Sequence, residues 1–196
     1  MSKRMSTLTD QIARLEKELQ EEIRAQQEQF RYHLEGHKVR FEESMLELHR
    51  KFRVALLPWL GGSTLRNTLS APFIYAMVIP IVFFDFSITL YQHICFRLYA
   101  IDRVRRSRYV VMDRHQLAYL NGIEKLNCLY CGYANGVVAY SREVVARTEQ
   151  YWCPIKHARR VVGSHGRYHK FPAYGDAESF REQRLKLRDE LRVEEK

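Results

Sequence analysis

Asn127-Cys128-Leu129-Tyr130-Cys131-Gly132-Tyr133 is the stretch on which the fold turns, and Tyr151-Trp152-Cys153-Pro154-Ile155-Lys156-His157 answers it. Together they read C-x2-C, a gap of 21 residues, then C-x3-H. Two close-spaced pairs of thiolate and imidazole donors are what a tetrahedral metal ion needs. In C-x2-C the backbone can fold so that its amides point at sulfur, and Gly132 supplies the positive φ such a turn often requires. Pro154 stiffens the second half, and His157 returns as the fourth ligand. The spacing therefore predicts a metal centre of Cys128, Cys131, Cys153 and His157. Three thiolates and a neutral imidazole leave one net negative charge around a divalent ion, which Lys125, Lys156, Arg159 and Arg160 offset. A closed set of this kind suits structural zinc, with iron or an iron–sulfur cluster as the alternative. Cysteines used as plain core residues are the simpler competing reading. His165 and His169 are spare donors.

The chain of 196 residues carries a net charge of +9, spread unevenly. Residues 1–68 hold 12 Lys and Arg against 10 Asp and Glu, whereas residues 97–196 hold 20 against 12. A basic surface in the second half suits anionic lipid headgroups or nucleic acid. No stacking motif or reading helix supports the nucleic-acid option, and no small-molecule substrate is indicated. The first 22 residues are polar and show no secretory signal. Without export, these cysteines favour metal or thiol chemistry over disulfides. Cys95 stands apart as a small buried hydrophobe.

Between the two halves lies FIYAMVIPIVFFDFSITLYQHICF, residues 73–96. At about 1.5 Å per residue it measures roughly 36 Å, enough to cross a hydrocarbon core of roughly 30 Å. Asp85 is its one formal charge, Tyr75 and Tyr91 fall toward its ends, and Trp59 precedes it. Arg97, Arg103, Arg105, Arg106 and Arg108 form a basic flank after it, which argues for a cytoplasmic C-terminal side. A single span would then place a charged N-terminal segment across the membrane. Pro80 offers a kink and a re-entrant or shallow path that keeps both flanks on one side. Asp85, Thr89, Gln92 and His93 share a helical face, which suits a helix at the interface or packed on another helix. An intramembrane carboxylate is a functional candidate; a hydrogen bond at a helix contact is the plainer alternative.

Upstream, Leu8, Ile12, Leu15, Leu19 and Ile23 recur at helical spacing. Phe30, Leu34, His37, Phe41, Met45, Leu48 and Phe52 continue the pattern after a phase slip. The expectation is one long helix or two collinear ones over residues 6–56, with Gly36 as a soft point. Its stripe needs a partner, and self-association as a coiled coil comes first. Gly61-Gly62 breaks the chain, Ser63-Thr64 caps a short helix, and Ser70 with Pro72 marks a second start.

Downstream, Tyr109 to Met112 reads as a short strand and Asp113 as a helix cap, with Asn121-Gly122 and Asn135-Gly136 as breaks. Residues 137–151 read as a helix. Residues 163–175 read as loop, and Asp176 starts a charged terminal helix reaching about Val193.

Cys128-Leu129-Tyr130-Cys131-Gly132-Tyr133 and Trp152-Cys153-Pro154 resemble the knuckles of rubredoxin and zinc-ribbon proteins, which read C-x2-C-G-Y and W-x-C-P-x-C-G. Lys156 stands where their fourth cysteine would be, and the spacer looks helical where they use strands. The resemblance implies a metal–thiolate knuckle and neither their β fold nor their redox activity. The motif NGIEKLNCLYCGYANG, with YWCPIKHAR after it, is similar to an uncharacterised bacterial membrane-associated protein family. That resemblance implies a bacterial inner-membrane context and no activity.

The expected architecture is mainly α. A long amphipathic, coiled-coil-type helix spans 1–58, and a linker with a short helix spans 59–72. A membrane-embedded segment follows at 73–100, then a small Cys3His metal domain at 101–175 and a charged terminal helix at 176–196. The expected function is a non-enzymatic, membrane-anchored scaffold or interaction module with structural zinc. The alternative is an iron-binding electron-transfer protein at the membrane.

Overall fold

The longest helix begins where the sequence suggested a break. In the computed structural model, which describes residues 3–35, 38–55, 58, 61–62 and 65–192, Asn121 caps a helix running Gly122–Trp152. The Asn121 side chain accepts the Glu124 amide at 3.0 Å, and the Glu124 carboxylate accepts the Asn121 amide at 2.8 Å. This reciprocal pair satisfies two donors that a helix start leaves free. Once started, the helix meets no proline before Pro154. Gly132, Asn135 and Gly136, read as turn residues, sit within it.

The other elements in chain order are α1 (Lys3–Gln29), β1 (Tyr32–Glu35), β2 (Lys38–Phe41), α2 (Glu43–Lys51), α3 (Leu65–Ala76) and α4 (Val78–Tyr99), then α5 (Gly122–Trp152) and α6 (Ala177–Glu190). The protein is mainly helical, as its composition indicated. It divides into two units, Met1–Gly62 with Asp113–Leu126, and Ser63–Met112 with Asn127–Lys196.

In the first unit, the one long helix or two collinear helices expected over 6–56 give way to a helix, two paired strands and a second helix. Arg31 adopts φ 48° and ends α1. The strands then pair antiparallel, Tyr32 opposite Phe41 and Leu34 opposite Val39. Each four-residue run alternates in polarity and mixes β-branched or aromatic residues with charge, which favours a pleated strand over helix. Tyr32 and Phe41 pack ring on ring at 5.5 Å between centroids. Phe41 meets His49 on α2, and His49 meets Tyr119. The Gln116 side chain accepts the Val39 amide at 2.9 Å. Gly36 and His37 lie outside the described residues, as do Trp59, the Ser63-Thr64 cap and Val193.

In the second unit, α3 starts at Leu65, so Pro72 stands inside a helix rather than opening one. The break falls at Met77, between Ala76 and Val78. Pro80 has no N–H for the Ala76 carbonyl, and its ring crowds that same carbonyl, so the chain yields one turn earlier. At the other end, Ala100 turns left-handed at φ 55° and the Ile101 amide closes on the Phe96 carbonyl at 3.0 Å. This is the C-terminal closure that glycine usually provides.

Residues 101–112 then run back along α5 in irregular, mostly extended backbone, with a short 3-10 turn at Arg106–Arg108. No strand forms at Tyr109 to Met112, because its neighbours are helices. Arg147 donates to the Asp102 carbonyl at 2.8 Å, and Phe96, Ile101, Val104, Tyr140, Val144 and Leu191 close the core. The close approach has a sequence cause. A Cβ at Gly136 would stand 2.7 Å from the Val110 Cα, and one at Gly132 would stand 3.3 Å from the Val111 carbonyl oxygen. The pair, four residues apart on one helix face, forms a groove that backbone can enter.

Residues 153–175 and α6 fold onto the second half of α5. Asp176 caps α6 through the Ser179 amide. Glu143 accepts both Arg147 and Arg167, and Arg167 also reaches Gln150. Gln150 in turn donates to the Leu187 carbonyl. The membrane segment and the C-terminal piece, expected as separate domains, thus belong to one packed unit.

Replacing Gly136 with Ala should destabilise this unit. Helix propensity favours alanine by about 1 kcal/mol, but the clash is with backbone, and overpacking typically costs about 1–3 kcal/mol. Gly132→Ala should come out near neutral, since its neighbour needs to yield only a few tenths of an ångström. Thermal unfolding in mild detergent, followed by circular dichroism, checks the order of the two variants.

Candidate functional site

The four candidate metal ligands do not meet. Cys128 and Cys131 stand one turn apart on α5, and Cys153 follows the last residue of that helix. At about 1.5 Å per residue, the interval from Cys131 to Cys153 measures roughly 33 Å, whereas zinc holds each sulfur at about 2.3 Å. His157 lies beyond Cys153, where its amide donates to the Tyr168 hydroxyl and its ring stacks on Tyr168. His165 pairs with Glu149 at 2.8 Å. Among the described residues, no group of three or more His, Cys, Asp or Glu is arranged to hold a metal. The expected Cys3His centre is therefore not assembled in this fold, because the C-x2-C run continues a helix instead of folding into a knuckle.

What the fold does assemble lies between α4 and α5. Contacts along their length join them: Asp85 with Tyr133, Gln92 with Tyr140, Tyr91 with Thr148, and Tyr99 with Tyr151, while Tyr75 of α3 bonds Asn127. The partners advance together, so α5 runs beside α3 and α4 in the same direction. Asp85, Thr89 and Gln92 all face this seam. His93, read on the same face, is exposed and bonds the Thr89 carbonyl of its own helix.

Asp85 is the centre of the seam. Arg106 grips it with both arms of its guanidinium, Nε to Oδ1 at 3.0 Å and Nη2 to Oδ2 at 2.7 Å. The Tyr133 hydroxyl donates to Oδ2 at 2.9 Å, and the Arg106 guanidinium lies 6.0 Å from the Tyr133 ring centroid. Burial, and next the nearby carboxylate, pushes the Tyr133 phenol above its ordinary pKa, so it remains a donor. Two turns along, Gln92 satisfies both backbone groups of Val104. Its Oε1 accepts the Val104 amide at 3.0 Å and its Nε2 donates to the Val104 carbonyl at 3.3 Å. Tyr140 joins the same cluster through Gln92 and Thr89.

Of the basic flank, Arg106 has therefore folded inward as the partner of Asp85, while Arg97, Arg103, Arg105 and Arg108 remain exposed. Sequence reasoning had both partners and did not join them, since they lie 21 residues apart across a chain reversal. Chemically, the carboxylate is neutralised and both its oxygens are engaged. That arrangement holds elements together; it does not present a free base.

Removing one partner of Asp85 should cost more than removing both. Arg106→Gln leaves a mostly buried carboxylate half-satisfied and should destabilise by about 2 kcal/mol, less than for a fully buried pair because Arg106 is partly exposed. Asp85→Asn added to it should recover part of the loss, and Tyr133→Phe alone should cost about 1 kcal/mol. Chemical denaturation of wild type, Arg106→Gln, Asp85→Asn and the double variant as a double-mutant cycle measures this, with Tyr133→Phe alongside; additive losses would mean that the pair is not coupled. For the cysteines, elemental analysis of wild type and Cys128→Ser should give the same metal content, with unchanged melting in the presence of a chelator.

Comparison of the chain with family models, with curated proteins and with solved structures gives no match.

Proposed function

We propose that this protein is a membrane-attached interaction module, in which a lipid-facing helix carries a basic helical unit at the cytoplasmic face of a bacterial inner membrane. The observation that carries the reading is the inverted polarity of α3 and α4. Asp85 is 8% exposed, while Phe73, Phe83 and Leu98 are 78%, 71% and 77% exposed. Ile74, Ile79, Val82, Phe86, Leu90 and Ile94 are exposed with them. A water-soluble fold turns such residues in and its charges out; a contiguous patch of this size in water is an aggregation site. The stretch Leu65–Tyr99 is also long and apolar enough to cross a membrane, with mean hydropathy 2.1 over its best window.

The interaction role rests on two surfaces. Between Arg97 and Met112, with Arg106 engaged by Asp85, the exposed arginines Arg97, Arg103, Arg105 and Arg108 stand against the single carboxylate Asp102, a composition suited to the anionic cytoplasmic leaflet. In the first unit, α1 leaves Leu15, Leu19 and Ile23 exposed along one stripe, with the pairs Arg14–Glu18 and Lys17–Glu21 beside it. A helix of that length with an open apolar stripe gains from a partner helix, either a second copy or another protein. The saturated state of Asp85 favours binding over catalysis.

Fractionation of cells expressing the full chain tests the membrane reading. The protein should sediment with membranes through high salt and alkaline carbonate, and detergent should release it. Phe83→Arg combined with Ile79→Arg should weaken retention, since each puts a guanidinium on the exposed apolar side of α4. Wild-type protein recovered folded and monodisperse in the soluble fraction would overturn the proposal.

A further inference from the structure

We infer that α3 and α4 lie in the plane of the bilayer, with their apolar side sunk in one leaflet and the arginines of the return segment among anionic headgroups, rather than crossing from face to face. The inference rests on the membrane reading above and goes beyond it in fixing orientation and lipid partner.

The argument turns on what accompanies α4 along its length. A helix crossing the bilayer would hold Asp85 near mid-depth, since Asp85 is central in the apolar stretch 73–96. Everything at the level of Asp85 and Gln92 would then share that depth. Arg106 stands at the level of Asp85, Val104 at that of Gln92, and Tyr133 and Tyr140 on α5 at the same two levels. The backbone from Arg103 to Arg108 is not regular α-helix, and Arg103, Arg105 and Arg108 are exposed there. On α5, Arg142 is exposed just beyond Tyr140. Hydrocarbon does not accept irregular lipid-facing backbone, and it takes exposed guanidinium groups only at high cost. A perpendicular helix would carry this charged, non-helical layer through the centre of the membrane.

Laid flat, the same unit meets no such conflict. At 100° per residue, Phe83, Leu90 and Ile94 fall on the side of α4 away from Asp85, and all three are exposed. That side enters the acyl region by about 5–10 Å, as interfacial helices do. The return segment and α5, on the Asp85 side, stay at the headgroups and in water. With Arg106 engaged by Asp85, the exposed Arg97, Arg103, Arg105 and Arg108 against Asp102 still give that layer the sign that phosphatidylglycerol attracts. The bend at Met77 lets α3 follow the surface. Neither flank of the chain has to cross.

Tryptophan depth measurement decides the orientation. With Trp59→Phe and Trp152→Phe as background, single tryptophans replace Phe73, Phe83, Ile94 or Val111 in the full chain. The variants are reconstituted in phosphatidylethanolamine–phosphatidylglycerol vesicles containing lipids brominated at defined acyl depths, and helix content checks the fold. The in-plane arrangement predicts one shallow depth for positions 73, 83 and 94, and a tryptophan at 111 quenched by aqueous iodide and not by bromine. A crossing helix would place position 83 roughly 15 Å deep and positions 73 and 94 near opposite interfaces, which overturns the inference and leaves the membrane reading standing. No bromine quenching at any position would overturn both, and would point to a second protein copy on this face. For the lipid partner, transfer from detergent into phosphatidylglycerol vesicles should exceed transfer into phosphatidylcholine vesicles. Arg103→Gln with Arg108→Gln should reduce that preference roughly 30-fold, at about fivefold for each charge; an unchanged preference would overturn the headgroup assignment.

Discussion

A carboxylate in the middle of an apolar helix must be solvated, protonated or paired, and this protein pairs it. The Asp85–Arg106 contact is bidentate and is completed by Tyr133. Its consequence reaches beyond the two residues. Arg106 lies on a segment with little regular structure, so the pair fixes where the chain passes after leaving α4. Gln92 fixes it again two turns later by taking both backbone groups of Val104. With these two clamps in place, the chain must travel back along α4 before α5 can begin, and α5 then runs beside α4 in the same direction.

Such a path needs room. Two helices packed directly leave no groove for an extended chain, and the segment 109–112 finds one because α5 lacks side chains at Gly132 and Gly136. The polar clamps and the glycine groove therefore depend on each other. Without the groove, Arg106 could not sit at the level of Asp85; without the clamps, glycines inside a helix would be a simple loss of stability.

The apolar segment, its embedded carboxylate and the terminal helix cap at Asp176 were legible in the sequence, since each is written in local composition. The metal site is where the sequence pattern and the fold part company. Cys128, Cys131 and Gly132 carry the signature of a knuckle, yet the same letters fit a helix whose small residues admit a neighbouring backbone. Spacing alone does not separate the two, because i and i+3 are adjacent both in a turn and on a helix face. The deciding signal was Asn121-x-x-Glu124, a helix start with no later stop before Pro154, which reads across the supposed knuckle. The hairpin at 32–41 was hidden for a similar reason: its alternation was short enough to pass for a slipped helical stripe. The Asp85–Arg106 pair was out of reach by any local rule, since it exists only after the chain reverses.

The inverted polarity of the α4 seam also constrains what surrounds it. Polar groups between helices are worth most where water cannot compete for them, so the seam gains when the outer side of α4 is covered by lipid. At the same time, the return segment keeps arginines exposed on backbone that lipid would reject. One side of this unit therefore requires an apolar surrounding and another side requires water and anions. A boundary between the two phases meets both demands together. The membrane surface proposed for this protein is such a boundary, and the paired carboxylate, the glycine groove and the arginine flank are the parts of the sequence that would shape the unit to it.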